Sequence, residues 1–116
     1  MTRAAPSLFF AYGSLKRGQS NHQELGAATF VDVVSTAPSF ALRVHGGFPL
    51  LVPGSRSVRG ELFLLSAQEL EALDEFEGDC YERRAIRLLD YRCAITYMAR
   101  DPELGEAYAA DAWPNE

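Results

Sequence analysis

Apolar and polar positions along the chain change period several times, and those changes mark out its elements. Leu8 to Tyr12 is a short aromatic and apolar run, which predicts a buried strand. Thr29 to Thr36 is rich in Val and Thr, the β-branched composition expected of a strand. From Ser39 to Val44 the pattern alternates, with Phe40, Leu42 and Val44 on one face, until "HGGFP" breaks it. Phe48 to Val52 is another short apolar piece, closed by "PGS", and Val58 to Leu65 reads as a further strand. Tyr81 to Leu89 and Arg92 to Ala99 read as two strands joined through "DYR".

The period switches to that of a helix between Ser66 and Phe76. Ser66 and Glu69 match a capping box, Leu65 and Leu70 occupy the staple positions around it, and Gly78 stops the helix. "SNHQEL" predicts a short helix capped by Ser20 or Asn21. The tail from Asp101 to Glu116, with its prolines and acids, reads as a loop or a loosely packed end. Many short strands and one clear helix predict an α+β domain with a largely antiparallel, barrel-like sheet. No linker, repeat or low-complexity tract divides the chain, so a single domain over residues 1–116 is expected.

Composition narrows the functions open to such a domain. The 116 residues are 47% hydrophobic and 23% charged, with a net charge of −5. Without a basic field to displace counterions, nucleic acid is not expected as a partner. Cys80 and Cys93 form no C-x-x-C pair, and with His22 and His45 they offer no zinc-site spacing. The N-terminal apolar stretch is too short, and too interrupted by Pro6, for a signal peptide or membrane span. A reduced, cytoplasmic protein with no membrane partner is the expectation.

Two stretches carry candidate chemistry. In "YGSLKRGQS" the glycines Gly13 and Gly18 resemble a phosphate loop, but Gln19 and Ser20 stand where that loop needs Lys and Ser/Thr. Lys16 and Arg17 still place positive charge beside it, or form a solvated loop pair. In the helix, at about 100° per residue, Leu70, Leu73 and Phe76 form an apolar stripe, and Glu71 and Glu75 lie off it. Glu77, seven residues after Leu70, falls within about 20° of it. A carboxylate ending an apolar stripe is desolvated, its pKa rises, and it becomes fit for general acid–base work. The alternative is that the helix has ended and Glu77 swings into water or pairs with Arg83 or Arg84. Asp74, nearer the stripe edge, reads as a cap or pairing partner. Ser14 has only His22 as a local base and lacks the nucleophile elbow, Cys80 has no neighbouring His, and His45 sits in a turn. Tyr81 and Arg83, two residues apart, share one strand face.

"FFAYGSLKRGQSNH" and "LDEFEGDCYERR" together resemble the two signature segments of the gamma-glutamylcyclotransferase-like superfamily, closest to its gamma-glutamylaminecyclotransferase/AIG2-like branch. "FALRVHGGFPLLVPG" and "VRGELFLL" resemble the same branch, so that the likeness runs from Leu8 to Met98. It implies a small mixed, mainly antiparallel β-barrel flanked by helices. It also implies an intramolecular reaction in which the α-amine of a γ-glutamyl group attacks its own γ-carbonyl, releasing 5-oxoproline and an amine from a small-molecule γ-glutamyl substrate. No cofactor or metal is implied. The Y-G-[ST]-L loop of the family falls on Tyr12, Gly13, Ser14 and Leu15, whose backbone amides would hold the γ-glutamyl group. The catalytic glutamate falls on Glu77, and Tyr12 and Tyr81 would wall the pocket. Two other functions fit the same resemblance: a non-catalytic binding or regulatory module, and a cyclotransferase acting on carrier-linked γ-glutamyl groups.

Overall fold

β1 (Ser7–Ala11) lies in the middle of the larger sheet because both of its faces are apolar. In the computed structural model, which describes residues 5–114, Phe9 and Ala11 pack with Leu70 and Leu73 of the helix α1 (Ala67–Glu77). Phe10 and Tyr12 turn the other way and pack with Leu42 and Leu51. An uninterrupted aromatic run is what a strand needs when it has a core on each side.

β1 is flanked by β5 (Arg59–Leu65), antiparallel from Ser7 opposite Leu65 to Ala11 opposite Glu61, and by β7 (Cys93–Ala99), which runs parallel to it. β2 (Thr29–Ser35) and β6 (Tyr81–Arg87) complete a five-stranded sheet in the order β2-β5-β1-β7-β6. The second sheet has three strands, β4 (Phe48–Pro53), β3 (Phe40–His45) and β8 (Glu106–Tyr108), in that order. The two sheets enclose the Phe10–Tyr12 core without closing into one continuous ladder. The fold is α+β and mainly antiparallel, as the pattern predicts.

The helix forms as its cap dictates. The Ser66 hydroxyl accepts from the Glu69 N–H at 3.1 Å, and the Glu69 carboxylate accepts from the Ser66 N–H at 2.8 Å. Gly78, at φ 68°, ends the helix in the left-handed conformation that glycine enters without strain.

Five expectations need correction. The tail is not loosely packed, since it contributes β8, and Trp113 stacks near Tyr108 at 5.2 Å. Its last two residues lie outside the described ones. "SNHQEL" gives only a 3-10 turn, His22–Leu25, whose N-cap Asn21 makes no side-chain capping bond. Among the described residues there is one α-helix rather than a flanking set. Phe76 leaves the apolar stripe and is 41% exposed. Lys16 is no solvated loop residue: it is buried, and its ammonium donates to the Trp113 carbonyl. Arg17 donates to Glu61 and lies over the Phe30 ring, its guanidinium carbon 3.5 Å from the centroid. None of the described helices is long and apolar enough to cross a membrane.

Where β5 crosses β1, Gly60 lies against the chain. A Cβ there would overlap the Ala11 carbonyl and the Phe10 ring. Gly60→Ala is expected to lower stability by about 2–3 kcal/mol in urea denaturation, the cost of overpacking a closed core. A loss under about 0.5 kcal/mol would mean that the two strands separate freely.

Candidate active site

β1 delivers the chain into the site at its C-terminal end. Tyr12 is buried, and its hydroxyl donates to the Tyr97 carbonyl at 2.7 Å and accepts from the Leu51 N–H at 3.2 Å. Burial pushes the phenol well above its ordinary pKa, so it stays neutral and can do both. Gly13 comes next, where a Cβ would overlap the Pro49 ring. Its φ is not in the left-handed region, so the glycine serves close approach rather than a special turn. The loop then curls: the Lys16 N–H bonds the Gly13 carbonyl and the Asn21 N–H bonds the Ser14 carbonyl. The backbone N–H groups of Gly13, Ser14 and Leu15 donate to no partner among the described residues.

Facing this loop is the end of α1. Tyr12, Gly13, Ser14, Leu15, Pro49, Glu77 and Tyr81 line one narrow cavity, floored by Tyr97 and Thr96. The structure therefore brings together every residue that the sequence singled out for the site. A larger chamber of about 300 Å³ opens beside it and shares Ser14, Glu77 and Tyr81. Tyr81, the first residue of β6, donates its hydroxyl to the Pro49 carbonyl at 2.9 Å. Its pKa is raised chiefly by burial and further by the Glu77 charge.

Glu77 neither swings free nor pairs. Arg83 lies 3.3 Å from Asp74, and Arg84 is bonded to Glu82, so both candidate partners are engaged elsewhere. Glu77 itself makes no hydrogen bond or ion pair among the described residues. Burial raises its carboxyl from an ordinary 4.5 to about 7. A side chain with that pKa is half ionised near neutrality and can take and return a proton at little cost.

The remaining candidates are structural. Asp74 accepts from the Tyr97 hydroxyl at 2.6 Å and pairs with Arg83, which ties α1 to β7 and β6. Ser14 has no base: its hydroxyl accepts from Asn21 at 3.0 Å, and the His22 ring is turned to the Leu15 carbonyl instead. Cys80 and Cys93 are free and exposed, so Cys80 is not the buried hydrophobe its residue type suggests. Pro49 and Tyr97 went unremarked in the sequence. Pro49 reads there only as a breaker after "HGG", and no local signal reveals that it abuts a glycine some thirty-six positions earlier.

A family model described as gamma-glutamyl cyclotransferase, AIG2-like, matches residues 9–115. The chain belongs to that family. It is 42% identical over 91 residues to gamma-glutamylaminecyclotransferase C of Danio rerio, covering 68% of this chain and 60% of that protein. It is 40% identical over 99 residues to gamma-glutamylaminecyclotransferase of Rattus norvegicus, covering 73% and 66%. The chain thus spans between three fifths and two thirds of these relatives. The crystal structure of an AIG2-like protein from Mus musculus superposes with a TM-score of 0.82 at 29% identity, covering 96% of this chain and 90% of that one.

The raised carboxyl of this AIG2-like chain has a consequence for its stability. A folded-state pKa above the unfolded value means that the folded chain holds the proton more tightly, so stability falls as pH rises from about 4.5 to about 7. At about 1.4 kcal/mol per unit, with a discount for water at the mouth, the ionised carboxylate costs on the order of 2 kcal/mol. Glu77→Gln is therefore expected to be about 2 kcal/mol more stable than wild type at pH 8, with that gain shrinking toward pH 4.5 in urea titrations. A gain independent of pH would show that Glu77 is solvated.

Proposed function

We propose that this chain, acting as one domain, is a 5-oxoproline-forming cyclotransferase for γ-glutamyl amines, with Glu77 as its acid–base residue. One observation carries the reading. Glu77 is an unpaired, desolvated carboxylate whose pKa is about 7, and it lines the same cavity as three free backbone donors. Family membership and the named relatives support it.

The γ-glutamyl group enters with its α-amine protonated. Glu77 takes one proton, and the freed nitrogen attacks the γ-carbonyl carbon to close a five-membered ring. The carbonyl oxygen becomes an oxyanion, and the N–H groups of Gly13, Ser14 and Leu15 are donors of the kind that stabilise such charge, each worth about 3 kcal/mol in a dry site. Glu77 returns its proton to the leaving nitrogen as the γ-carbon–nitrogen bond breaks, while the ring nitrogen releases its second proton to solvent. The products are 5-oxoproline and an amine. The attacking and leaving groups belong to one molecule, so no enzyme nucleophile is called for, and holding the chain coiled supplies much of the rate. Tyr12 and Tyr81, hydroxyls already engaged, act as walls that keep water out.

Glu77→Gln is expected to fold and to lose about 10³-fold or more in 5-oxoproline release from a γ-glutamyl amine. Release near the wild-type rate would sink the assignment. In the wild type, kcat/KM is expected to rise with pH to a plateau above about 7, because the base must be ionised. A limb centred near 4.5 would place the chemistry elsewhere. Gly13→Ala, which drives a methyl into Pro49, is expected to weaken 5-oxoproline binding at least tenfold in a chain that remains folded by circular dichroism. Unchanged binding would exclude the loop as the cradle.

A further inference from the structure

The direction of the donors in the Gly13–Leu15 loop is set by how the loop's carbonyls are fastened. The Lys16 N–H donates to the Gly13 carbonyl at 3.1 Å, and the Asn21 N–H donates to the Ser14 carbonyl at 3.0 Å. In a planar trans peptide the N–H points opposite the carbonyl. Bonds that turn the Gly13 and Ser14 carbonyls into the loop therefore turn the Ser14 and Leu15 N–H groups away from it. Lys16 closes the next turn as well, since its carbonyl accepts from the Gln19 N–H at 3.1 Å. Two successive turns thus meet at this one residue.

The side chain of Lys16 ties that residue to a point outside the loop. It is buried, and its ammonium donates to the Trp113 carbonyl. Burial lowers its pKa, the Glu61 charge opposes that shift, and Arg59 adds to it. Both Glu61 oxygens accept from Arg17, and no hydrogen bond or ion pair joins Lys16 to a carboxylate among the described residues. A desolvated ammonium of this kind costs stability, and a methionine would fill the space without that cost. Packing alone does not account for a lysine here. The carbonyl that it reaches belongs to an anchored segment. The Asp111 carbonyl accepts from the Arg59 N–H at 2.7 Å, the Asp111 carboxylate pairs with Arg56 at 3.0 Å, and the Trp113 ring lies 5.2 Å from Tyr108 of β8. Residues 111–114 form a strap between the start of β5 and the loop. Neither Lys16 nor Trp113 lines the cavity of Glu77, so any effect they have on the reaction passes through the loop.

We propose that Lys16 is a positioning residue for the reaction: tied to the Trp113 carbonyl, it holds the Ser14 and Leu15 N–H groups in the orientation that receives the oxyanion. This rests on the cyclotransferase reading, because ring closure is what generates the oxyanion. Lys16 touches neither the substrate nor the reacting atoms in this scheme. It fixes donors in advance, so that no reorganisation is needed when charge develops.

The test compares the full chain with Lys16→Met, Trp113→Ala and the double variant, each checked for folding by circular dichroism. Lys16→Met removes the ammonium and keeps the bulk of the side chain. Trp113→Ala keeps the lysine and removes the ring that seats the strap against Tyr108. With a γ-glutamyl alkylamide as substrate, Lys16→Met is expected to lower kcat at least tenfold while KM changes less than threefold. The split arises because the oxyanion exists only beyond the ground state. Trp113→Ala is expected to lower kcat at least threefold, and the double variant to stay within twofold of Lys16→Met, since both act through one tie. A Lys16→Met kcat within twofold of wild type, a loss confined to KM, or losses that multiply in the double variant overturns the proposal. A second measurement needs no turnover. Nitrogen-15 relaxation dispersion of the Ser14 and Leu15 amides is expected to be flat in wild type and to show microsecond-to-millisecond exchange in Lys16→Met. Flat profiles in both overturn the proposal. If the wild type releases no 5-oxoproline, the cyclotransferase reading falls, and the dispersion still decides whether Lys16 holds the loop.

Discussion

The hydroxyl of Tyr12 is a buried point at which the two sheets are joined. It donates a hydrogen bond to a carbonyl of β7 and accepts one from an N–H of β4, 39 residues away in sequence, in a buried position. In a low-dielectric interior both bonds are strong, and losing either leaves a buried backbone group unsatisfied. Much of the site follows from that tie. With β4 fixed against the end of β1, Pro49 is pressed on Gly13, and its carbonyl is in place to receive the Tyr81 hydroxyl. One short segment of β4 thus sets the loop and the wall opposite it. The N–H groups of Gly13, Ser14 and Leu15 in that loop donate to no partner among the described residues.

The same geometry accounts for Glu77. The helix is long enough to bring its last residue over the cavity, and the capping box at Ser66 fixes where that last residue falls. Asp74, one turn earlier, absorbs Arg83 and the Tyr97 hydroxyl. With the nearby cation used, Glu77 faces tyrosines and the loop with nothing to neutralise it. Desolvation then costs the fold stability and raises the carboxyl to about 7.

The tail has a role of its own in this arrangement. Trp113 and Pro114 carbonyls accept from the side chains of Lys16 and Gln19, two loop residues that do not line the cavity. The loop is therefore tied to the tail through two side chains, while the N–H groups of Gly13, Ser14 and Leu15 have no partner among the described residues. A tract of acids and prolines gives no hint of this, because its contacts are made through backbone carbonyls that every residue carries.

Local pattern alone was enough for the order of β1 to β7 and α1, the capped helix, the buried first strand and the placing of Glu77 on the stripe of Leu70. All of these depend on periodicity and on short-range side-chain–backbone bonds, which a sequence displays directly. The short 3-10 turn at His22–Leu25, β8, and the burial of Lys16 were beyond it. So were the separate fates of Asp74 and Glu77, two acids three residues apart on one helix. Which of them meets an arginine and which meets a half-buried pocket depends on where β6 lies, and β6 is placed by its pairing with β7 across the sheet. The sequence by itself determined that a carboxylate would end the apolar stripe of the helix. Only the tertiary structure decided which carboxylate is left unpaired, because desolvation is a property of the surroundings and not of the residue.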